Sequence, residues 1–294
     1  MTDHILQLPD QRKLAYAIYG PKNGQPVFYF NGTPSSRLEL LMLPAFGVDI
    51  EKLLSQYNIN LIAVDRPGIG KSDYHPAATF FSFANDIAVL AQALQIASAK
   101  SLSWSGGGPY ALSQAFHFPD FITGVYIFTG FTISFREPGA FRNMAANKYY
   151  FGAARYTPWL MKSVLRLNGS KPSKSPMPKW ISRQPAADYN LLEGHPIRTE
   201  MFTKYSTVEA IKHTTDGVVH EAQLYFRATD YQLQHIRQPV HYWWGTDDNV
   251  VIAQHYKAIE QRVAKHHIHF KEGEGHISVY VKYMQEALEI ISDS

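Results

Sequence analysis

The stretch Ser103-Trp104-Ser105-Gly106-Gly107 joins a short apolar run, Ser101–Trp104, to a segment of helical periodicity, Pro109–Phe118. Strand, sharp turn and helix in that order are the setting of a nucleophile elbow, here in the form small-x-Ser-x-Gly. A serine at the apex of such a turn takes a strained backbone that brings together the residues two places before and after it. Both must be small, and Ser103 and Gly107 are. Ser103 also has small neighbours at both offsets, but it lies inside the strand, so Ser105 is the expected nucleophile.

Outward from this turn, short apolar runs alternate with longer periodic ones, the pattern of an α/β protein with a mainly parallel sheet. His4–Leu8 and Leu14–Tyr19 read as an opening hairpin across Pro9-Asp10-Gln11-Arg12. Val27–Phe30 and Ile59–Val64 read as buried strands, and Phe80, Phe83, Ile87, Leu90 and Leu94 mark one face of a helix. Phe121–Phe128 is the next expected strand. The character then changes. Residues 132–217 hold no strand pattern, many aromatics (Tyr149, Tyr150, Phe151, Tyr156, Trp159) and a Lys/Pro/Ser stretch, Gly169–Lys179, that reads as a loop. Beyond it, helix and strand alternate again: Val218–Asp230, Val240–Trp244, Val251–Val263, His267–Phe270 and Ile277–Ser292. The expected organisation is a core of residues 1–131 and 218–294 with a helical insertion at 132–217.

Five segments, in order and on the expected elements, carry a resemblance to the α/β-hydrolase family. Beside the elbow, Asn31-Gly32-Thr33-Pro34-Ser35-Ser36-Arg37 is similar to its His-Gly-x-Pro loop, and Asp65-Arg66-Pro67-Gly68-Ile69-Gly70-Lys71-Ser72 to its Asp-x-Pro-Gly-x-Gly-x-Ser loop. Trp244-Gly245-Thr246-Asp247-Asp248-Asn249-Val250-Val251 resembles the turn that bears the catalytic acid, and Gly273-Glu274-Gly275-His276 the loop that bears the catalytic histidine. The resemblance implies an eight-stranded, mostly parallel sheet with helices on both faces and a helical cap inserted after the sixth strand. It also implies a triad in the order Ser105, Asp248, His276. Asp247 and Asp248 differ only by register; the family's acid lies three residues after the glycine, which selects Asp248. The oxyanion hole implied is the backbone N–H of Gly106 with that of Thr33. Two positions depart from the family, Asn31 where histidine is usual and Ser103 where glycine is common. Asp65 and Arg66 read as residues that shape their own loop.

The chemistry follows from the residue types. A serine hydroxyl is a weak nucleophile at neutral pH and needs a base, which a histidine held by a carboxylate supplies. A serine at this position excludes the dehalogenase and epoxide-hydrolase branches of the resembled family, which use aspartate, and leaves acyl chemistry. A carboxylic ester of a small, partly apolar molecule is the expected substrate, with no cofactor and no metal. Acyl transfer, carbon–carbon bond hydrolysis, aminopeptidase action and ligand sensing with slow turnover are the alternatives on the same residues. A basic insertion argues against a peptidase, which needs acidic groups to hold a substrate amine.

Composition sets outer bounds. The chain has 294 residues, 45% hydrophobic and 18% charged, and no cysteine, which excludes disulfides, thiolate metal sites and a cysteine nucleophile. A net charge of +3 does not suggest nucleic acid. No apolar run is long enough for a membrane span, and the N-terminal residues carry no basic-then-apolar leader, so a cytoplasmic location is expected. His266, His267 and His269 lack a matching carboxylate for metal binding; on a strand, His267 and His269 would share a face. Residues 132–217 hold 13 Lys/Arg against 6 Asp/Glu, a net +7, which places positive potential at the pocket mouth if the insertion roofs it. Neutral or anionic esters would then be preferred to cationic ones.

Overall fold

The computed structural model describes residues 1–142, 144–169, 171–174 and 184–294. Eight strands form one sheet: β1 Thr2–Gln7, β2 Lys13–Tyr19, β3 Gln25–Phe30, β4 Ile59–Val64, β5 Ala99–Trp104, β6 Ile122–Phe128, β7 Val240–Gly245 and β8 His266–Lys271. Their spatial order is β1-β2-β4-β3-β5-β6-β7-β8. β1 and β2 form the expected hairpin, β2 meets β4 antiparallel, and every other pairing is parallel. The central strands are buried on both faces, so they read as unbroken apolar runs. Alternate residues nevertheless enter different cores. Phe28 and Phe30 pack into one cluster, Val27 and Tyr29 into the other.

The helices expected from periodicity are present, with some shifted ends. Those before β6 are α1 Ile50–Gln56, α2 Phe80–Ala93 and α3 Gly108–His117; α4 Asn147–Tyr156, α5 Pro158–Asn168, α6 Ala186–Leu192, α7 Pro196–Thr203 and α8 Asp216–Leu224 lie between β6 and β7; α9 Gln254–Arg262 and α10 His276–Asp293 follow β7. α2 begins on a reciprocal cap, Thr79 Oγ1 accepting the Ser82 N–H and Ser82 Oγ the Thr79 N–H. Elements additional to the sequence reading include α1 and a 3-10 helix at Glu39–Phe46. The second, Glu-Leu-Leu-Met-Leu-Pro-Ala-Phe, is apolar almost all round and shows no periodic face. α8 ends at Leu224, earlier than the expected Asp230, and α9 starts at Gln254, later than the expected Val251. Of the expected Gly169–Lys179 loop, Gly169 and 171–174 are neither helix nor strand, while 170 and 175–179 lie outside the described residues. No helix among the described residues is long and apolar enough to cross a membrane.

The order β4-β3-β5 reverses the direction in which the sheet is built, and open α/β sheets bind ligands beyond the strand ends at such a reversal. Register sharpens this: Phe30, the last residue of β3, pairs with Ser103 of β5. The loop holding Thr33 therefore leaves the sheet beside the turn holding Ser105.

Candidate active site

Ser105 follows β5 and begins a three-residue 3-10 turn, Ser105–Gly107, that leads into α3. Its φ is 52°, a left-handed conformation that costs a residue with a side chain about 1–3 kcal/mol. Packing enforces the turn from outside. A Cβ on Gly107 would come within 2.0 Å of the Phe30 carbonyl oxygen, and one on Gly106 within 2.1 Å of Thr33 Oγ1. The crowding at Gly107 is thus against β3. Ser103, expected to meet it across the turn, points its Oγ instead to the Tyr126 carbonyl on β6 at 3.5 Å.

His276 opens α10, and its Nε2 lies 2.9 Å from Ser105 Oγ. Its Nδ1 lies 2.9 Å from Asp248 Oδ2. Asp248 sits on the turn after β7 with its carboxylate buried. Oδ1 accepts the N–H groups of Val250 at 2.7 Å and Val251 at 2.9 Å, and the Thr129 hydroxyl donates to Oδ2. A carboxylate facing Nδ1 keeps the proton there, which leaves the Nε2 lone pair toward the serine hydroxyl. Asp247 is exposed; its own N–H donates to the Glu274 carbonyl, and its side chain accepts from the Thr246 hydroxyl at 3.5 Å. The structure therefore brings Ser105, His276 and Asp248 together and leaves Asp247 apart.

Residues that the sequence does not single out hold His276 in place. The Trp104 ring stacks on the His276 ring at 5.4 Å and on Tyr280 at 4.4 Å, and its indole N–H donates to the His276 carbonyl. Asp188 of α6, fully buried, accepts the backbone N–H groups of His276, Ile277 and Ser278 at 2.8, 3.0 and 2.7 Å. These are the first N–H groups of α10, which have no partner within their own helix. Burial pushes the Asp188 carboxyl upward, against the pull of these bonds. No local spacing links Asp188 to His276.

Thr33 and Gly106 lie on the other side of Ser105. Thr33 lines the cavity; Gly106 sits behind it, with its Cα toward Thr33 Oγ1 and the Tyr225 hydroxyl. Glu39, buried, accepts the Gly32 N–H at 3.1 Å and the Tyr29 hydroxyl. Asn31 donates to the Gly32 carbonyl at 3.1 Å, so it braces the loop locally. Asp65 accepts from Arg37 and from the Lys71 N–H, shaping its loop as expected. Arg66 reaches further and donates to the carbonyls of Asn31 and Gly32.

A cavity of about 240 Å³ opens over Ser105 and His276. Among the described residues, Tyr150, Phe151, Phe202 and Ser206 of the segment between β6 and β7 contribute to its wall. Of the aromatics in that segment, Tyr150 and Phe151 line it, whereas Tyr149, Tyr156 and Trp159 are 72%, 68% and 70% exposed elsewhere. No lysine or arginine is among the described lining residues. The described lysines and arginines between β6 and β7 are exposed or half-buried, as in the Lys162–Asp216 pair at 2.5 Å; Lys179 and Arg183 lie outside the described residues. Far from this cavity, His267 and His269 do share a face of β8, and His241 of β7 stacks between them. No group of three or more His, Cys, Asp or Glu among the described residues is arranged to hold a metal ion.

A strained serine between strand and helix, hydrogen-bonded to a histidine at the start of the last helix, defines a class of fold and site. A sequence profile of the alpha/beta hydrolase fold matches residues 50–283. The chain belongs to the alpha/beta hydrolase fold family. No curated protein sequence matches it significantly. Among solved structures it is similar to an esterase from Rhodococcus sp. ECU1013, with 20% identity, a TM-score of 0.66, and 100% of this chain and 99% of that chain covered. A thermophilic esterase from Thermogutta terrifontis has 18% identity and a TM-score of 0.68 over 99% and 97% of the two chains. An enol-lactonase from Burkholderia xenovorans LB400 has 17% identity and a TM-score of 0.65 over 99% and 98%. At these identities the likeness is one of fold.

Proposed function

We propose that this protein is a serine hydrolase that cleaves a carboxylic ester, or a related acyl bond, of a small and partly apolar molecule through an acyl-enzyme. The observation that carries the reading is the hydrogen-bonded line Ser105 Oγ, His276 Nε2, His276 Nδ1, Asp248 Oδ2, with both links at 2.9 Å. Ser105 Oγ attacks the acyl carbon while His276 Nε2 takes its proton. Asp248 keeps the ring oriented and stabilises the imidazolium. The tetrahedral oxyanion is met by the backbone N–H groups of Gly106 and Thr33, pre-set donors of a kind worth about 3–4 kcal/mol each in the transition state. His276 then gives the proton to the departing alcohol, and water deacylates Ser105 by the same steps in reverse. Every bond change is served by these side chains without a cofactor or metal.

In this reading residues 132–217 form the cap over a core of 1–131 and 218–294, and the partner is the small acyl substrate alone. The cap contributes cavity wall rather than chemistry. A cavity near 240 Å³ suits short acyl groups, since pockets for drug-sized ligands run from about 300 to 1,000 Å³. The cysteine-free chain suits a reducing cytoplasm, where we place the enzyme. Esterase and lactonase neighbours lend the reading support of fold only. The test is a chromogenic acyl-ester panel from C2 to C16 with wild type and Ser105→Ala. Turnover of the short esters that is lost in the variant is expected; stoichiometric acylation without turnover would point to a ligand-sensing member instead.

A further inference from the structure

Behind the wall made by Thr33 and Gly106 runs a chain of buried polar groups that the reaction outlined above does not use. The Arg66 guanidinium donates to the carbonyls of Asn31 and Gly32, both at 2.6 Å, and its Nε lies 2.6 Å from Glu221 Oε1. The Tyr225 hydroxyl lies 3.1 Å from the same Glu221 oxygen, 2.9 Å from the Gly106 carbonyl oxygen and 2.8 Å from Thr33 Oγ1. Arg66, Glu221 and Tyr225 are all buried, and Tyr110 covers the guanidinium with its ring at 4.9 Å. Burial pushes the Tyr225 phenol well above its usual range, so it stays protonated and can donate.

An ion pair taken out of water costs several kcal/mol before its attraction is counted, so stability alone is a weak reason for one here. Its location supplies a better reason. Arg66 holds the two carbonyls that precede Thr33, while the Tyr225 oxygen touches both segments that the esterase reading above assigns to the oxyanion hole. We propose that Tyr225 is a positioning residue of the oxyanion hole: its hydroxyl locks the Thr33 loop to the Gly106 turn, and the Glu221–Arg66 pair orients that hydroxyl. The inference rests on the esterase reading above. It adds that the two donors are kept at working separation by a side chain from the end of α8, which touches neither substrate nor nucleophile. Glu221 and Tyr225 lie four residues apart, so one helix turn presents both.

The test compares wild type, Tyr225→Phe, Thr33→Val and the double variant on one short-chain ester. The same four proteins are titrated with a trifluoromethyl ketone, whose hemiketal with Ser105 places an oxyanion in the hole. Deleting an oxyanion donor outright costs about 10²–10³ in kcat, so misplacing one is expected to cost about tenfold in kcat. KM should stay within about twofold, as for an interaction made only in the transition state. Ketone affinity is expected to fall in step with kcat. The double variant should be no worse than the poorer single variant, because both remove the same hydrogen bond. Thr33→Val gives the same readout should Tyr225→Phe fold poorly. Unchanged kcat in an active enzyme, a loss shared by KM, unchanged ketone affinity, or losses that multiply in the double variant would each overturn the inference. A wild type inactive on every ester would instead overturn the functional reading on which it rests.

Discussion

Asp188 Oδ2 accepts the backbone N–H of His276 at 2.8 Å, although 88 residues and the whole of β7 and β8 separate the two. The carboxylate also takes the next two N–H groups, so a side chain from the segment between β6 and β7 caps the helix that starts with the candidate base. Asp188→Ala leaves buried donors unpaired, which costs about 1–3 kcal/mol. Denaturant unfolding should show a loss in that range, with a fall in kcat as His276 loses its anchor. Gly275→Ala should resemble it, because the new Cβ would meet Asp188 Oδ2 at 2.5 Å. Wild-type stability in Asp188→Ala would contradict this account of how α10 is held.

The two adjacent acids differ in environment as sharply as two neighbours can. Asp248 is buried against His276 and Asp247 is exposed. Asp248→Asn should lower kcat by about 10⁴, the effect of a histidine held in the wrong tautomer. Asp247→Asn should leave steady-state kinetics near wild type. Equal losses would mean that the register of this turn is wrong.

His255 gives the fold an acid-sensitive point that takes no part in the proposed chemistry. Its ring is fully buried, Nδ1 accepts the Thr132 N–H at 3.0 Å, and burial lowers its pKa to about 3. An unfolded histidine binds its proton near pH 6.5, so between about pH 6.5 and pH 3 the unfolded state holds more protons. Stability is therefore complete above pH 6.5 and falls on acidification through that window. One such group contributes a slope of up to about 1.4 kcal/mol per pH unit. In His255→Asn, which keeps an acceptor for Thr132, unfolding free energy measured from pH 4 to 6 should vary with pH less steeply by about that amount. Parallel curves for the two proteins would refute the assignment.

Much of this site is legible in the sequence alone, because Ser105, Asp248 and His276 each stand just past a strand in a short motif with glycine. Strand ends are where an α/β sheet delivers side chains, so local pattern and global position coincide there. Most of the supporting residues have no such signature. Asp188 reaches His276, and Arg66 reaches Glu221, across gaps in sequence that no period or spacing connects. The 3-10 helix at Glu39–Phe46 leaves no periodic mark, because an element buried nearly all round shows no amphipathic face. The segment between β6 and β7 is basic, yet no lysine or arginine among the described residues lines the cavity.

The claim on which all else depends is that Ser105, and no other serine, attacks the acyl group. Its most direct test is reaction with a fluorophosphonate followed by mass mapping of the adduct, in wild type and in His276→Ala. One adduct per chain on the peptide bearing Ser105, formed slowly or not at all without His276, is the expected result. An adduct on Ser103 or on any other serine, or labelling at full rate without His276, would contradict the account.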